Sequence, residues 1–263
     1  MRFCERQVKV VKPDDYIAVF DSGVGGLSVL RHLIARMPNE RYLYFGDSAN
    51  APYGTKTKEQ VRGLTFAAAE KLIGQGIKAL VVACNTATSA AINDLRKAYP
   101  HLIIIGIEPA LKLAADKFPG GKLGVMATPM TLREEKFALL MERFRESCDI
   151  YKIPAPGLVE LIEAGKADST EAESLLRQIF APYPRLDALV LGCTHYPFAS
   201  QTISRVLGDA VTLLDGGEGT ARETQRRLEQ AGLLHHGACE IQIMNSANSD
   251  SLKTVMMQLL FDE

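Results

Sequence analysis

Read by its alternation of apolar and polar positions, the chain divides into short apolar runs separated by longer stretches of helical period. The runs fall at 16–20 (YIAVF), 42–45 (YLYF), 79–83 (ALVVA), 102–107 (LIIIGI), 122–127 (KLGVMA), 149–154 (DIYKIP), 188–192 (ALVLG), 211–215 (VTLLD) and 240–244 (EIQIM). Runs apolar on both faces and rich in Val, Ile and Leu mark strands covered on both sides, as in a parallel sheet under helices. The intervening segments carry the helical period. In 27–37 the apolar positions are 27, 30, 33, 34 and 37, and the stretch 58–76 ends in a glycine suited to a helix C-terminus. A helix, a strand and a last helix over 249–261 complete the pattern. Strand–helix alternation of this kind predicts an α/β architecture with mainly parallel sheets flanked by helices.

The order of these elements repeats. KALVVACNTA (78–87) is echoed by DALVLGCTHY (187–196), each an apolar strand, a small residue, a cysteine and then polar residues. Upstream, IAVFDSGVGGLSVLRHL (17–33) and KLGVMATPMTLREEKFALL (122–140) also correspond, so Asp21 precedes Cys84 by nearly the span that separates Thr128 from Cys193. Two pseudo-symmetric domains are therefore expected, with residues 1–107 and 219–263 forming a discontinuous first domain and 108–218 the second. Ligands of open parallel sheets collect at the carboxyl ends of the strands. If the halves face each other, both cysteines look into one cleft between them.

Composition narrows the class without naming a chemistry. Of 263 residues, 47% are hydrophobic and 23% charged, and 30 basic against 31 acidic side chains leave a net charge of −1. That is enough apolar material for a substantial core, and there is no basic stripe to bind nucleic acid or an anionic membrane. No apolar run reaches membrane-spanning length and the N-terminus lacks a signal-peptide core, so a cytoplasmic location is expected. The first 15 or so residues read as a short extension. The cysteines, at 4, 84, 148, 193 and 239, form no CxxC pair, which argues for free thiols rather than a disulfide scaffold or a structural zinc site.

Five segments carry candidate chemistry, four of them predicted at strand ends and one in a helix. Cys84 is followed by Asn85 and Thr86, whose amide and hydroxyl can bind a carboxylate. A helix starting there would add its positive end and lower the thiol pKa. Cys193 is followed by Thr194, a donor, and His195, which exchanges protons near neutrality. DSGVGGLS (21–28) is a glycine-rich strand-to-helix turn that departs from GxGxxG, since Ser28 stands at the third glycine, and it lacks a phosphate-loop ending. Its low bulk admits a small anion, with Asp21 and Ser22 at its start. GDSANAPYGTKT (46–57) offers Pro52, Tyr53 and Gly54 as a pocket wall, and Glu160 lies early in an apparent helix. Inverting a stereocentre by proton transfer needs a base on one face of the carbon and an acid on the other. Two equivalent thiols in a pseudo-symmetric cleft meet that need, with preorganised donors stabilising the carbanion-like state. No lysine is marked out for a pyridoxal Schiff base.

IAVFDSGVGGLSVL, YFGDSANAPYGTK, VVACNTA, IGIEPA and LVLGCTHYPF, in that order, resemble the aspartate/glutamate racemase superfamily, and glutamate racemases within it, over residues 17–217. The resemblance implies interconversion of L- and D-glutamate without cofactor or metal, supplying D-glutamate for peptidoglycan. It implies that Cys84 acts on the D-enantiomer with Asp21 as acidic partner, and that Cys193 acts on the L-enantiomer assisted by Glu160 and His195. Asp21, Ser22, Pro52, Tyr53, Gly54, Asn85, Thr86, Thr128, Thr194 and His195 are the implied substrate-binding positions. Small-molecule glutamate is the expected partner; a homodimer is compatible with the pattern. Three other readings remain at this point: an aspartate racemase, a non-catalytic glutamate-binding module, and a zinc site on Cys84, Cys193 and His195.

Overall fold

A computed structural model describes residues 11–133, 135–247 and 249–261. In chain order the strands are β1 (Tyr16–Asp21), β2 (Arg41–Gly46), β3 (Ile77–Val82), β4 (Ile103–Gly106), β5 (Lys122–Ala127), β6 (Asp149–Pro154), β7 (Ala188–Leu191), β8 (Thr212–Asp215) and β9 (Glu240–Asn245). The helices are α1 (Leu27–Arg36), α2 (Lys58–Gly74), α3 (Asn85–Ala98), α4 (Leu111–Lys117), α5 (Pro129–Arg133), α6 (Glu135–Glu142), α7 (Leu158–Glu163), α8 (Thr170–Phe180), α9 (Ser200–Leu207), α10 (Gly217–Gln230) and α11 (Asp250–Phe261). All nine apolar runs are strands.

The strands form two separate sheets, ordered β4-β3-β1-β2-β9 and β6-β5-β7-β8, and every pairing is parallel. Read from the other edge, the second sheet runs β8-β7-β5-β6, the same order as β4-β3-β1-β2. The internal sequence repeat is thus a repeat of topology. The last strand, β9, lies beside β2 and widens the first sheet.

Each sheet buries both faces, as its strand sequences require. In β1, Ala18 and Phe20 enter one core and Ile17 and Val19 the opposite one; β3 divides Leu80 and Val82 from Ala79 and Val81 in the same way. The second sheet has its own pair of cores, one holding Met126, Leu189 and Leu191, the other Val125, Ala188 and Val190. Side chains alternate with a period of two, so a strand needs apolar residues at every position when helices cover both sides.

Local signals set the helix ends. Thr57 and Gln60 form a reciprocal capping box that starts α2. Beyond the end of α2, Gly76 takes φ +80°, a left-handed conformation that costs a glycine little. Among the described residues, no helix is long and apolar enough to cross a membrane.

Candidate active site

The first sheet reverses its winding between β1 and β3, and the second between β5 and β7. Loops diverge at such points and leave a crevice beyond the carboxyl ends of the strands. Asp21 ends β1, and Cys84 lies two residues past β3; Thr128 follows β5, and Cys193 lies two residues past β7. These four ends converge. One cavity of about 110 Å³ is lined by Cys84 and Cys193 together, with Ser22, Asn85, Thr86, Thr128, Thr194 and His195, and with Pro52, Tyr53 and Gly54 as a wall. At about 10–15 Å³ per water on this measure, the space suits a small amino acid far better than a nucleotide.

Cys84 caps the N-terminus of α3, its sulfur accepting from Ala87 N at 3.4 Å and lying 3.4 Å from Ser22 Oγ. The helix end and the serine favour the thiolate, yet the thiol is pushed up to about 12. Burial is the larger cause and Asp21 adds to it, so the expected lowering does not occur. Cys84 therefore rests as a neutral thiol.

Asp21 is fully buried and sits behind the cavity wall rather than on its surface. Its Oδ1 accepts from Gly23 N at 2.8 Å and its Oδ2 from Thr194 Oγ1 at 2.9 Å. Desolvation raises its pKa, against the opposing pull of His195 and the two hydrogen bonds. Asp21 thus links the two sheets beneath both thiols.

On the other side, His195 Nδ1 lies 3.7 Å from Cys193 Sγ, and Nε2 lies 2.9 Å from a carboxylate oxygen of Glu163. This corrects the expectation at Glu160: the carboxylate paired with His195 comes three residues later. In α7, Leu158 and Ile162 face the core. At 3.6 residues per turn, Glu160 points almost directly away from that face, whereas Glu163 lies on its flank beside the Cys193 loop. Glu160 stays exposed at the cavity rim. Burial alone would lower the His195 pKa, but Cys193, Glu163 and Asp21 outweigh it and hold the pKa well above the ordinary histidine value. Burial likewise acts to raise Glu163, and its bond to His195 reverses the shift to a net lowering. The Val24 backbone N–H also bonds to Glu163.

The two sheets also meet through threonines. Thr86, Thr128 and Thr131 hydroxyls form a three-membered ring at 3.0–3.2 Å, joining α3 to α5. Gly54 packs so closely on Thr128 that a Cβ there would lie 2.9 Å from the threonine Cβ. Asn85 Oδ1 is buried without a hydrogen-bond partner, an acceptor left for something entering the cavity. Glu163 and Thr131 are the site residues that sequence reasoning missed. Helical periodicity around Leu158 and Ile162 carried a weak signal for the first; only the packing of the halves shows the second.

A pair of parallel α/β sheets with a thiol at each switch point, facing one small cavity, defines a class. The chain matches the Asp/Glu/Hydantoin racemase family over residues 25–224 and belongs to that family. It is 50% identical over 248 residues to a glutamate racemase of Clostridium botulinum, covering 93% of this chain and 96% of that one. Solved structures agree. The glutamate racemase of Thermus thermophilus, in complex with β-chloro-D-alanine, is 37% identical with a TM-score of 0.82, covering 94% of each chain. A Bacillus anthracis glutamate racemase isoform gives a TM-score of 0.85 at 31% identity, and that of Francisella tularensis, in complex with D-glutamate, 0.83 at 28%; each match covers 94% of both chains.

Proposed function

We propose that this protein interconverts L- and D-glutamate by a two-thiol, cofactor-independent proton transfer. The observation that carries the reading is the convergence of Cys84 and Cys193 on one cavity, with His195 Nδ1 3.7 Å from the Cys193 sulfur. With L-glutamate bound, the Cys193 thiolate takes the Cα proton and the electron pair is delocalised into the α-carboxylate. The Cys84 thiol, protonated at rest, delivers its proton to the opposite face. The product is D-glutamate, and the sulfurs have exchanged roles; the reverse reaction begins from that state.

Asn85 and Thr86, at the N-terminus of α3, are the proposed donors to the α-carboxylate, with Thr194 at the opposite wall held by its bond to Asp21; preorganised dipoles there stabilise the developing charge. Asn85 Oδ1, unpartnered in the buried wall, is a suitable acceptor for the substrate ammonium. His195, steadied by Glu163, lies close enough to Cys193 to buffer its proton. Pro52, Tyr53 and Gly54 form the wall proposed for the side-chain end. The cellular role proposed is supply of D-glutamate for peptidoglycan in the cytoplasm.

Cys84→Ser and Cys193→Ser each test the scheme. Both are expected to lose racemisation beyond about 10³-fold while still binding glutamate, because an alcohol is a far weaker acid than a thiol and cannot take the thiol's place in proton transfer. Full turnover in either variant would exclude it. Aspartate in place of glutamate, followed by Cα deuterium exchange and loss of optical activity, tests the substrate. Faster inversion of aspartate would move the assignment to an aspartate racemase. Binding without exchange would leave only a ligand-binding role.

A further inference from the structure

The glycine-rich turn after β1 supports the acid–base pair of the other sheet, and one side chain beyond it holds that pair in place. A Cβ at Gly23 would fall 2.2 Å from Glu163 Oε1, and one at Gly25 would fall 2.4 Å from His195 Nδ1. The His195–Glu163 pair thus rests directly on the backbone of residues 23–25. Ser28, in the first turn of α1, is buried, and its Oγ lies 2.9 Å from both Gly25 O and Thr194 O. Gly25 O already receives the Ser28 backbone N–H at 3.0 Å. The hydroxyl can therefore donate to Thr194 O without leaving Gly25 O unpaired, and Thr194 O belongs to the peptide that joins Thr194 to His195, one residue past Cys193. Thr194 is gripped twice, through its side chain by Asp21 of β1 and through its main chain by Ser28 of α1.

Ser28 does not line the cavity. Building on the two-thiol reading, we propose that Ser28 is a positioning residue for the Cys193 half of the reaction: its hydroxyl sets where Cys193 and His195 stand relative to the substrate Cα. Among the described residues no hydrogen bond joins it to Cys84, whose own supports are Ser22 and Ala87 N. Loss of the Ser28 hydroxyl should accordingly weaken proton transfer on one face of the substrate and spare the other.

Racemisation rates cannot show this asymmetry. The two enantiomers have equal free energy in water, so kcat/KM is the same in both directions for any variant. Elimination separates the faces because it uses one base. With 3-chloroglutamate, one sulfur takes the Cα proton, the Cα–H electron pair becomes the Cα=Cβ bond, and the C–Cl pair leaves as chloride. The resulting enamine hydrolyses in solvent to 2-oxoglutarate and ammonia. The substrate of L configuration at Cα reads Cys193, and that of D configuration reads Cys84.

The experiment measures chloride release from both configurations in the whole protein. Ser28→Ala is expected to slow the L arm about tenfold, the usual size for one lost hydrogen bond that leaves a buried carbonyl unpaired, and the D arm less than about twofold. Ser28→Cys, of similar shape and a weaker donor, should fall between, and it carries the comparison if Ser28→Ala does not fold. An equal fall in both arms, a larger fall in the D arm, or no change in a folded variant would overturn the role of Ser28. Wild-type protein that releases chloride from neither configuration would instead overturn the two-thiol reading on which this role rests.

Discussion

Glu163 offers the sharpest test of how the Cys193 side works. Its carboxylate holds the buried His195 through a 2.9 Å contact, while Glu160, three residues earlier, is exposed and makes no contact with the histidine. Glu163→Ala removes a hydrogen bond to a charged partner, worth roughly 1.5–3 kcal/mol. At 1.36 kcal/mol per tenfold, kcat/KM should fall about 10- to 150-fold. Glu163→Gln keeps an acceptor without the charge and should lose less. Glu160→Ala should stay within about twofold of wild type, as changes at exposed positions outside the hydrogen-bond network usually do.

The same pair sets a pH dependence. His195 is raised and Glu163 lowered relative to their ordinary values, so each is held toward its charged form by the other. The part of the stability due to the raised histidine is fully present below the unfolded histidine pKa and is lost as pH rises through the folded one. The part due to the lowered glutamate is present above its unfolded pKa and is lost as pH falls through the folded one. Removing Glu163 withdraws one of the influences that raise His195, so the alkaline limb of kcat/KM should move to lower pH. Initial rates of racemisation, followed by circular dichroism across pH, measure both effects. A larger loss at Glu160 than at Glu163, or an alkaline limb that does not move in Glu163→Ala, would refute the pairing.

Two further outcomes follow from contacts that leave no space or no partner. Gly25→Ala places a methyl group 2.4 Å from His195 Nδ1 and 2.6 Å from Thr194 Oγ1. The displaced histidine should cost about 10²-fold in kcat, as a misplacement of about 1 Å commonly does, with a far smaller change in thermal midpoint; unchanged turnover would contradict the docking of the turn on His195. Far from the cavity, Lys78 and Glu40 form a fully buried ion pair at 2.6 Å, and Lys78 also donates to Leu233 O at 2.9 Å, tying the segment after α10 to the first sheet. Lys78→Met leaves Glu40 buried and uncompensated and should cost about 3–5 kcal/mol in urea unfolding, while kcat of the folded fraction is retained. A loss below about 1 kcal/mol, the range of exposed pairs, would show that the pair is solvated.

Much of this protein is determined locally. Nine apolar runs become nine strands, and the central ones, β1, β3, β5 and β7, are apolar at successive positions because both of their faces are buried, a requirement visible without any partner. The repeat of KALVVACNTA in DALVLGCTHY foretells the repeated strand order and places both cysteines at equivalent strand ends. The cysteines and the glycine turn were legible because each directly follows a predicted strand, and the Gly54 wall because it lies in the loop after another. Three features were decided only when the sheets came together. Glu163, not Glu160, meets His195, because the facing side of α7 depends on which residues the second core claims. The Cys84 thiol is raised rather than lowered, because burial between two domains outweighs the helix end that the sequence reveals. Asp21 and Ser28 reach Thr194, more than a hundred residues away in the chain, because hydrogen bonds between halves depend on distances that no local pattern encodes.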